Sequence, residues 1–235
     1  MIDDYIATDI DQFRNKLRAV GIAVFKSFLS LDESNLIKEC FIEKFNSNKP
    51  IVRSGPNSYN RHDYLRFDCG DFSQCNARFS YMHALFPWNK DLTNSPIQRA
   101  VRFRDKVLNI CSDSEHIYNV NNLKLYSLNK ILFYPSGAGF MNEHTDGYNN
   151  LGHPNFLITL SRRGQDYSSR GGYYVNDEGD SVNMDKYTEI GDLYAHIPNI
   201  LHGVHTVDND IFPDLNSARG RYVVNISLEK VEYGK

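Results

Sequence analysis

The chain has little of several things that would mark a specialised class. Its 235 residues include four cysteines, Cys40, Cys69, Cys75 and Cys111. They are too sparse for a disulfide scaffold and lack C-x-x-C spacing, so a reducing compartment is expected, although Cys69 and Cys75 could still pair. There is no long basic run and the formal net charge is −3, so nothing gives a general attraction to nucleic-acid phosphates or anionic lipid, and nucleic acid is not an expected partner. No apolar run approaches membrane-spanning length, and the start Met1-Ile2-Asp3-Asp4-Tyr5 has neither a basic nor an apolar leader region. Together these predict a cytoplasmic protein without a membrane partner. Repeats, linkers and low-complexity segments are missing too, and nothing in the sequence indicates an oligomeric state. What is present, 41% hydrophobic and 23% charged residues, is the composition of a globular domain long enough to bury a core, and a single domain over residues 1–235 is expected.

The first half reads as a helical support layer with a lid. Ile10, Phe13, Leu17 and Val20 recur at helical spacing between Asp9, a capping residue, and Gly21. Residues 21–29 read as a buried strand, and Ser30 with Glu33 forms a capping-box signature ahead of a helix with Leu36, Ile37, Cys40, Phe41 and Phe45 inward. Ser95-Pro96 starts a third helix with Ile97, Val101, Leu108 and Cys111 as its stripe, ending near Ser112. Between Asn46 and Asn94 periodicity gives way to Gly, Pro, Asn, Asp and aromatics including Tyr59, Tyr64, Tyr81 and Trp88. So long an irregular stretch predicts an ordered lid over a pocket. Of its polar residues, Arg61 and Arg66 are the candidates for an anionic substrate group, and His62 or Asp63 for a hydroxyl or amine.

From Leu123 the period changes to two. Strands are expected at about 123–134, 155–161, 172–176, 192–197, 204–207 and 221–229, the short strands with turn signals of a sandwich or jelly roll. Residues 1–122 are therefore read as support and lid, and 123–235 as the β core, making the fold mainly β with supporting N-terminal helices. Ahead of the second of these strands stands Glu143-His144-Thr145-Asp146. In an extended strand successive side chains alternate, so His144 and Asp146 point the same way and can share one cation. An imidazole and a carboxylate so placed, completed by a distant histidine, make the facial triad of a non-heme Fe(II) site. His202 and His205 are the candidates for that third ligand.

The order of Phe133-Tyr134-Pro135 through Gly147, Arg170-Gly171-Gly172-Tyr173-Tyr174-Val175, Gly191 to Pro198, Leu201-His202-Gly203-Val204-His205-Thr206-Val207 and Gly220-Arg221-Tyr222 resembles the Fe(II)- and 2-oxoglutarate-dependent dioxygenases, especially the prolyl-hydroxylase-like branch. The resemblance covers roughly residues 123–230 and rests on the series of short motifs. It implies a double-stranded β-helix, or cupin-like jelly roll, with Fe(II) held by His144, Asp146 and His202. Arg221 is implied to hold the distal carboxylate of 2-oxoglutarate, since a guanidinium matches a carboxylate bidentately; Arg219, two residues away, is its rival. Tyr134 matches a tyrosine lining the cosubstrate pocket. A second family tyrosine, on the following strand, is replaced by Leu160, so another group must complete the carboxylate site. Residues 208–217 make the gap between histidine and arginine longer than is associated with this branch.

The implied reaction consumes O₂, releases succinate and CO₂, and oxidises an unactivated C–H bond, with hydroxylation the default outcome. The expected substrate is a small polar metabolite such as an amino acid, a sugar or a natural-product intermediate. A protein or peptide hydroxylase of the same superfamily and a non-catalytic jelly-roll metal-binding module are the competing readings.

Overall fold

A computed structural model describes residues 5–53, 63–69, 77–85, 95–112, 117–120, 122–146 and 152–230. Local chemistry sets the helices. α1 (Ile10–Val20) is capped by Asp9, whose carboxylate accepts from Gln12 N at 2.8 Å, and it stops at Gly21, left-handed at φ 76°. α2 (Leu31–Ser47) carries the expected capping box of Ser30 and Glu33. Its inward face is narrower than the periodicity implied, because Ile37 and Phe41 are buried while Leu36 and Cys40 are exposed. α3 (Pro96–Leu108) begins at the predicted proline but ends short of Ser112, where Asn109 turns left-handed at φ 55°.

The strands are β1 (Ile6–Ala7), β2 (Ile22–Phe25), β3 (Ile51–Arg53), β4 (Tyr64–Cys69), β5 (Ala77–Leu85), β6 (Ile117–Val120), β7 (Leu123–Pro135), β8 (Phe140–His144), β9 (Asn155–Thr159), β10 (Gly172–Val175), β11 (Ser181–Asn183), β12 (Leu193–His196), β13 (His202–Val204) and β14 (Gly220–Lys230). Eleven of them run in the order β1-β2-β12-β9-β14-β7-β5-β8-β13-β10-β11, while β3 pairs with β4, β4 with β5 and β6 with β7. β5 joins the two ends of the jelly roll: Tyr81 to Leu85 pair with β7, whereas Ala77 and Arg78 pair with β8. The sheet therefore folds over, with β12-β9-β14-β7 on one side and β8-β13-β10-β11 on the other. The strands β3, β4 and β5 correct the expectation of an irregular stretch from Asn46 to Asn94. Tyr59, Trp88, Arg61 and His62, on which the lid expectation rested, lie outside the described residues, as do Cys75 and the side chain of Cys69.

Alternation divides the four long-sheet strands into two faces. Ile131, Phe133, Phe156, Ile158, Leu193, Ala195, Tyr222, Val224 and Ile226 form one cluster with Phe13, Leu17, Phe41, Val101 and Phe103 of the helices. Phe133 and Tyr222 stack there at 4.4 Å between ring centroids, and burying each such aromatic contributes about 2–3 kcal/mol. The residues between them on the same strands, Asn155, Thr159, Tyr194, His196, Tyr134 and Arg221, face the second layer. That inner face holds the polar groups described next. No described helix is long and apolar enough to cross a membrane.

Candidate metal centre

β8 and β13 are antiparallel with His144 directly opposite His202, and the two rings lie 4.4 Å apart. Asp146 follows two residues beyond His144, fixed by its backbone N–H bond to Pro198 O at 3.0 Å. Each histidine makes a bond from Nδ1 to a backbone carbonyl, His144 to Asn142 O at 2.8 Å and His202 to Ile200 O at 2.9 Å. An imidazole that gives its Nδ1 proton to a carbonyl keeps the Nε2 lone pair free for a cation. Those Nε2 atoms lie 3.6 Å (His144) and 3.3 Å (His202) from the Asp146 carboxylate. Two donors at right angles around a metal, each about 2.1 Å from it, sit about 3 Å apart, so the three groups need only small movements to close on one ion. They are the group of potential ligands that converges among the described residues, all within 4.8 Å of one another.

Burial alone would raise the Asp146 carboxyl, but the His144 hydrogen bond and the neighbouring His202 and His196 rings outweigh it and hold it well below the usual range. Burial, then the adjacent His196, pushes His202 down to about 3. For His144 burial acts downward too, but the bonds to Asp146 and Asn142 win and the net shift is upward. A neutral His202 beside an ionised Asp146 is the protonation state a metal requires.

Around the triad stand residues that sequence reasoning did not assign to the site. Asn155 on β9 donates from Nδ2 to Asp146 Oδ2, and Asn225 on β14 donates to Asn155 Oδ1 at 3.3 Å. His196 on β12 is buried and its ring lies 4.2 Å from His202. The signal for them was the period of two on their strands. It put these residues on the face opposite the aliphatic ones, but did not say what they would meet there.

Further along the interior lies Arg221, 2% exposed. Its Nε and Nη2 are bidentate to the Asp185 carboxylate at 2.6 and 2.9 Å, with Tyr194 OH 3.4 Å from Nη2. Tyr134 lies under the guanidinium at 5.9 Å from its ring centroid. Gly172 is a glycine for the same reason, because a Cβ there would lie 2.9 Å from Arg221 Cζ. Arg219 is turned away, bonded through Nη2 to Ser168 Oγ at 2.9 Å. Leu160 packs with the helix-side core, whereas Thr159 faces inward opposite Val223, and its buried hydroxyl has no hydrogen-bond partner. An orphaned buried hydroxyl on that face, near a buried guanidinium, is what a ligand carboxylate would satisfy.

Other candidates are engaged elsewhere. Asp63 pairs with Lys44 of α2 at 2.8 Å and Arg66 with Asp68 at 2.6 Å. Tyr64, on the same face of β4 as Arg66, packs in the helix-side core. Arg66 thus lies on the helix-side face of the sheet, and Asp63 is held by α2. His205 stacks on Tyr173 at 3.9 Å and meets Ser181 Oγ at 3.2 Å, remote from Asp146. The long 208–217 segment is tied down at its start, where Asp208 accepts from Ser136 Oγ, Ser168 N and Ser169 N at 2.7–2.8 Å.

No family model and no curated protein sequence matches the chain. Solved structures do. The chain is similar to a prolyl-4-hydroxylase from Pseudomonas putida, at 12% identity and a TM-score of 0.60, over 95% of this chain and 100% of that one. It is also similar to a prolyl hydroxylase from Trichoplax adhaerens, in complex with a peptide fragment of the hypoxia-inducible factor oxygen degradation domain, at 15% identity and a TM-score of 0.56, over 94% and 88%. A third is an oxidoreductase of the 2OG-Fe(II) oxygenase family from Burkholderia pseudomallei, at 12% identity and a TM-score of 0.53, over 96% and 95%. With its two facing four-stranded layers and a His-Asp-His group between them, the chain has the fold of the 2-oxoglutarate–Fe(II) oxygenases and of the prolyl hydroxylases among them.

Proposed function

We propose that the protein is an Fe(II)- and 2-oxoglutarate-dependent oxygenase that hydroxylates an unactivated C–H bond of a small polar molecule. The observation that carries this reading is the convergence of His144, Asp146 and His202 inside that fold. Fe(II) bound there with 2-oxoglutarate supplies the oxidising chemistry, consuming O₂ and releasing succinate and CO₂. The chain's own residues do the positioning. The two Nδ1–carbonyl bonds aim the Nε2 lone pairs, and Asn155 fixes the carboxylate of Asp146. His144, Asp146 and His202 would hold the metal between them and leave it accessible to cosubstrate and O₂. Arg221 and the unpartnered Thr159 hydroxyl are the groups that would hold the far end of the cosubstrate. Tyr134, Leu132, Met141 and Val204, which pack against one another, would wall it in and exclude water.

The small-molecule class is supported by an interior in which tyrosine hydroxyls and one guanidinium punctuate apolar walls, and by a net charge that does not favour a polyanion. A second reading, oxidation of a residue in a peptide, is favoured by the neighbour in complex with a peptide fragment. The test is Fe(II)-dependent succinate release across amino acids, aminocyclitols, nucleosides and peptides. Stimulation by peptides alone moves the assignment to the second reading. Succinate release that never depends on Fe(II), together with no visible charge-transfer band from anaerobic Fe(II) and 2-oxoglutarate, refutes both and leaves a metal-binding module.

A further inference from the structure

Arg221 is the cation expected for the second carboxylate of 2-oxoglutarate, and it is already paired. Asp185, in the short 3₁₀ turn Met184–Lys186, is 6% exposed. Its Oδ2 accepts from Arg221 Nε at 2.6 Å, Tyr167 OH at 2.7 Å and Gly172 N at 2.8 Å, while Oδ1 accepts from Arg221 Nη2 at 2.9 Å. A carboxylate with donors from three elements is built in, and does not swing aside without leaving a buried charge unpaired. Its position also decides which edge of the guanidinium remains: Nε and Nη2 are turned to Asp185, so a ligand has the Nη1 side and the orphaned Thr159 hydroxyl.

Charge matters more than geometry here. A divalent metal with neutral His144 and His202 and ionised Asp146 carries one net positive charge. Arg221 and Asp185 add none. A 2-oxo acid with one carboxylate brings this interior to neutrality, whereas 2-oxoglutarate leaves it one negative charge in excess. Were residue 185 uncharged, 2-oxoglutarate would be the neutralising ligand.

Resting on the reading of the site as a 2-oxo-acid pocket, we propose that Asp185 is a specificity-determining residue that orients Arg221 and cancels its charge, so that the pocket discriminates weakly between charged and uncharged ends of the cosubstrate. At a separation of about 6 Å and an effective dielectric of about 20, removing one like charge strengthens binding by at least about tenfold. The experiment is anaerobic calorimetry on Mn(II)-loaded protein with two ligands, 2-oxoglutarate and 2-oxohexanoate, which has a similar length and an uncharged end, for the natural chain and Asp185→Asn. The natural chain should bind the two within about tenfold of each other, and the variant should raise the preference for 2-oxoglutarate by at least about tenfold.

Using the ratio keeps the test valid when the substitution loosens the pocket, because general damage weakens both ligands together. An unchanged ratio, with or without loss of affinity, overturns the role of Asp185 alone. Failure of both ligands to bind either protein overturns the 2-oxo-acid reading itself.

Discussion

Arg221→Leu tests how much the buried ion pair contributes before any ligand is present. Arg221 and Asp185 are 2% and 6% exposed and meet through two bonds of 2.6 and 2.9 Å. Taking away one partner of such a pair costs about 3–5 kcal/mol, because the survivor stays buried and charged. Tyr167 OH and Gly172 N still donate to Asp185, which puts the expected loss near the lower end, about 3 kcal/mol. For a chain of this size each kcal/mol moves the melting temperature by about 2–4 °C, so a fall of about 6–12 °C is expected for the metal-free protein. Adding Asp185→Asn removes the stranded charge, and the double variant should recover at least about half of that fall. Thermal unfolding followed by circular dichroism at neutral pH measures both. A single variant that melts within about 2 °C of the natural chain, or a double variant no more stable than the single, would refute the reasoning that Asp185 depends on Arg221. The outcome also governs how activity data are read, since lost turnover in Arg221→Leu reports damaged packing as well as a missing ligand contact.

His202→Ala should lose stoichiometric metal while His205→Ala keeps it, as measured by equilibrium dialysis with Fe(II) or Mn(II); the reverse pattern would move the third ligand. Asn155→Ala, which removes the donor to Asp146, should weaken metal binding by about 10–100-fold with little change in melting temperature. Unaltered affinity would mean that Asp146 is oriented without it. Gly172→Ala places a Cβ 2.9 Å from Arg221 Cζ, so cosubstrate binding should fall more than metal binding does, and equal losses would argue against a local effect. Glu33 is held down at about 2, first by its hydrogen bond from Arg99 and then by the Ser30 backbone. A depressed carboxyl contributes stability present above its unfolded value of about 4.5 and lost as the pH falls through its folded value. Acid unfolding curves of Glu33→Gln should therefore be flatter between pH 4.5 and 2 than those of the natural chain. The effect will be modest because the ion pair is partly solvated.

Much of this protein is legible locally. The capping box at Ser30, the glycine stop at Gly21, the period of two from Leu123 onward and the shared face of His144 and Asp146 each depend on residues only a few positions apart. Backbone geometry dictates such relations wherever the chain goes. The choice of His202 over His205 came from a resemblance of motif, and the structure brings His202 to Asp146 through a pairing that shifts register between His202 and Val204. No spacing rule contains that irregularity.

The stretch from Asn46 to Asn94 looked irregular because β5, on which β4 is built, owes its order to a partner elsewhere: Tyr81 to Leu85 are paired with residues about fifty positions later in β7. For Asn155, Asn225 and Thr159 the period of two marks only a face, and for Asp185 the sequence marks nothing. An asparagine in a strand becomes a support for a metal ligand, and an aspartate in a three-residue turn becomes the counter-charge of Arg221, only when separate strands and turns close around one interior. Burial there makes an unpaired charge or hydroxyl costly, so tertiary packing alone decides which polar groups must meet.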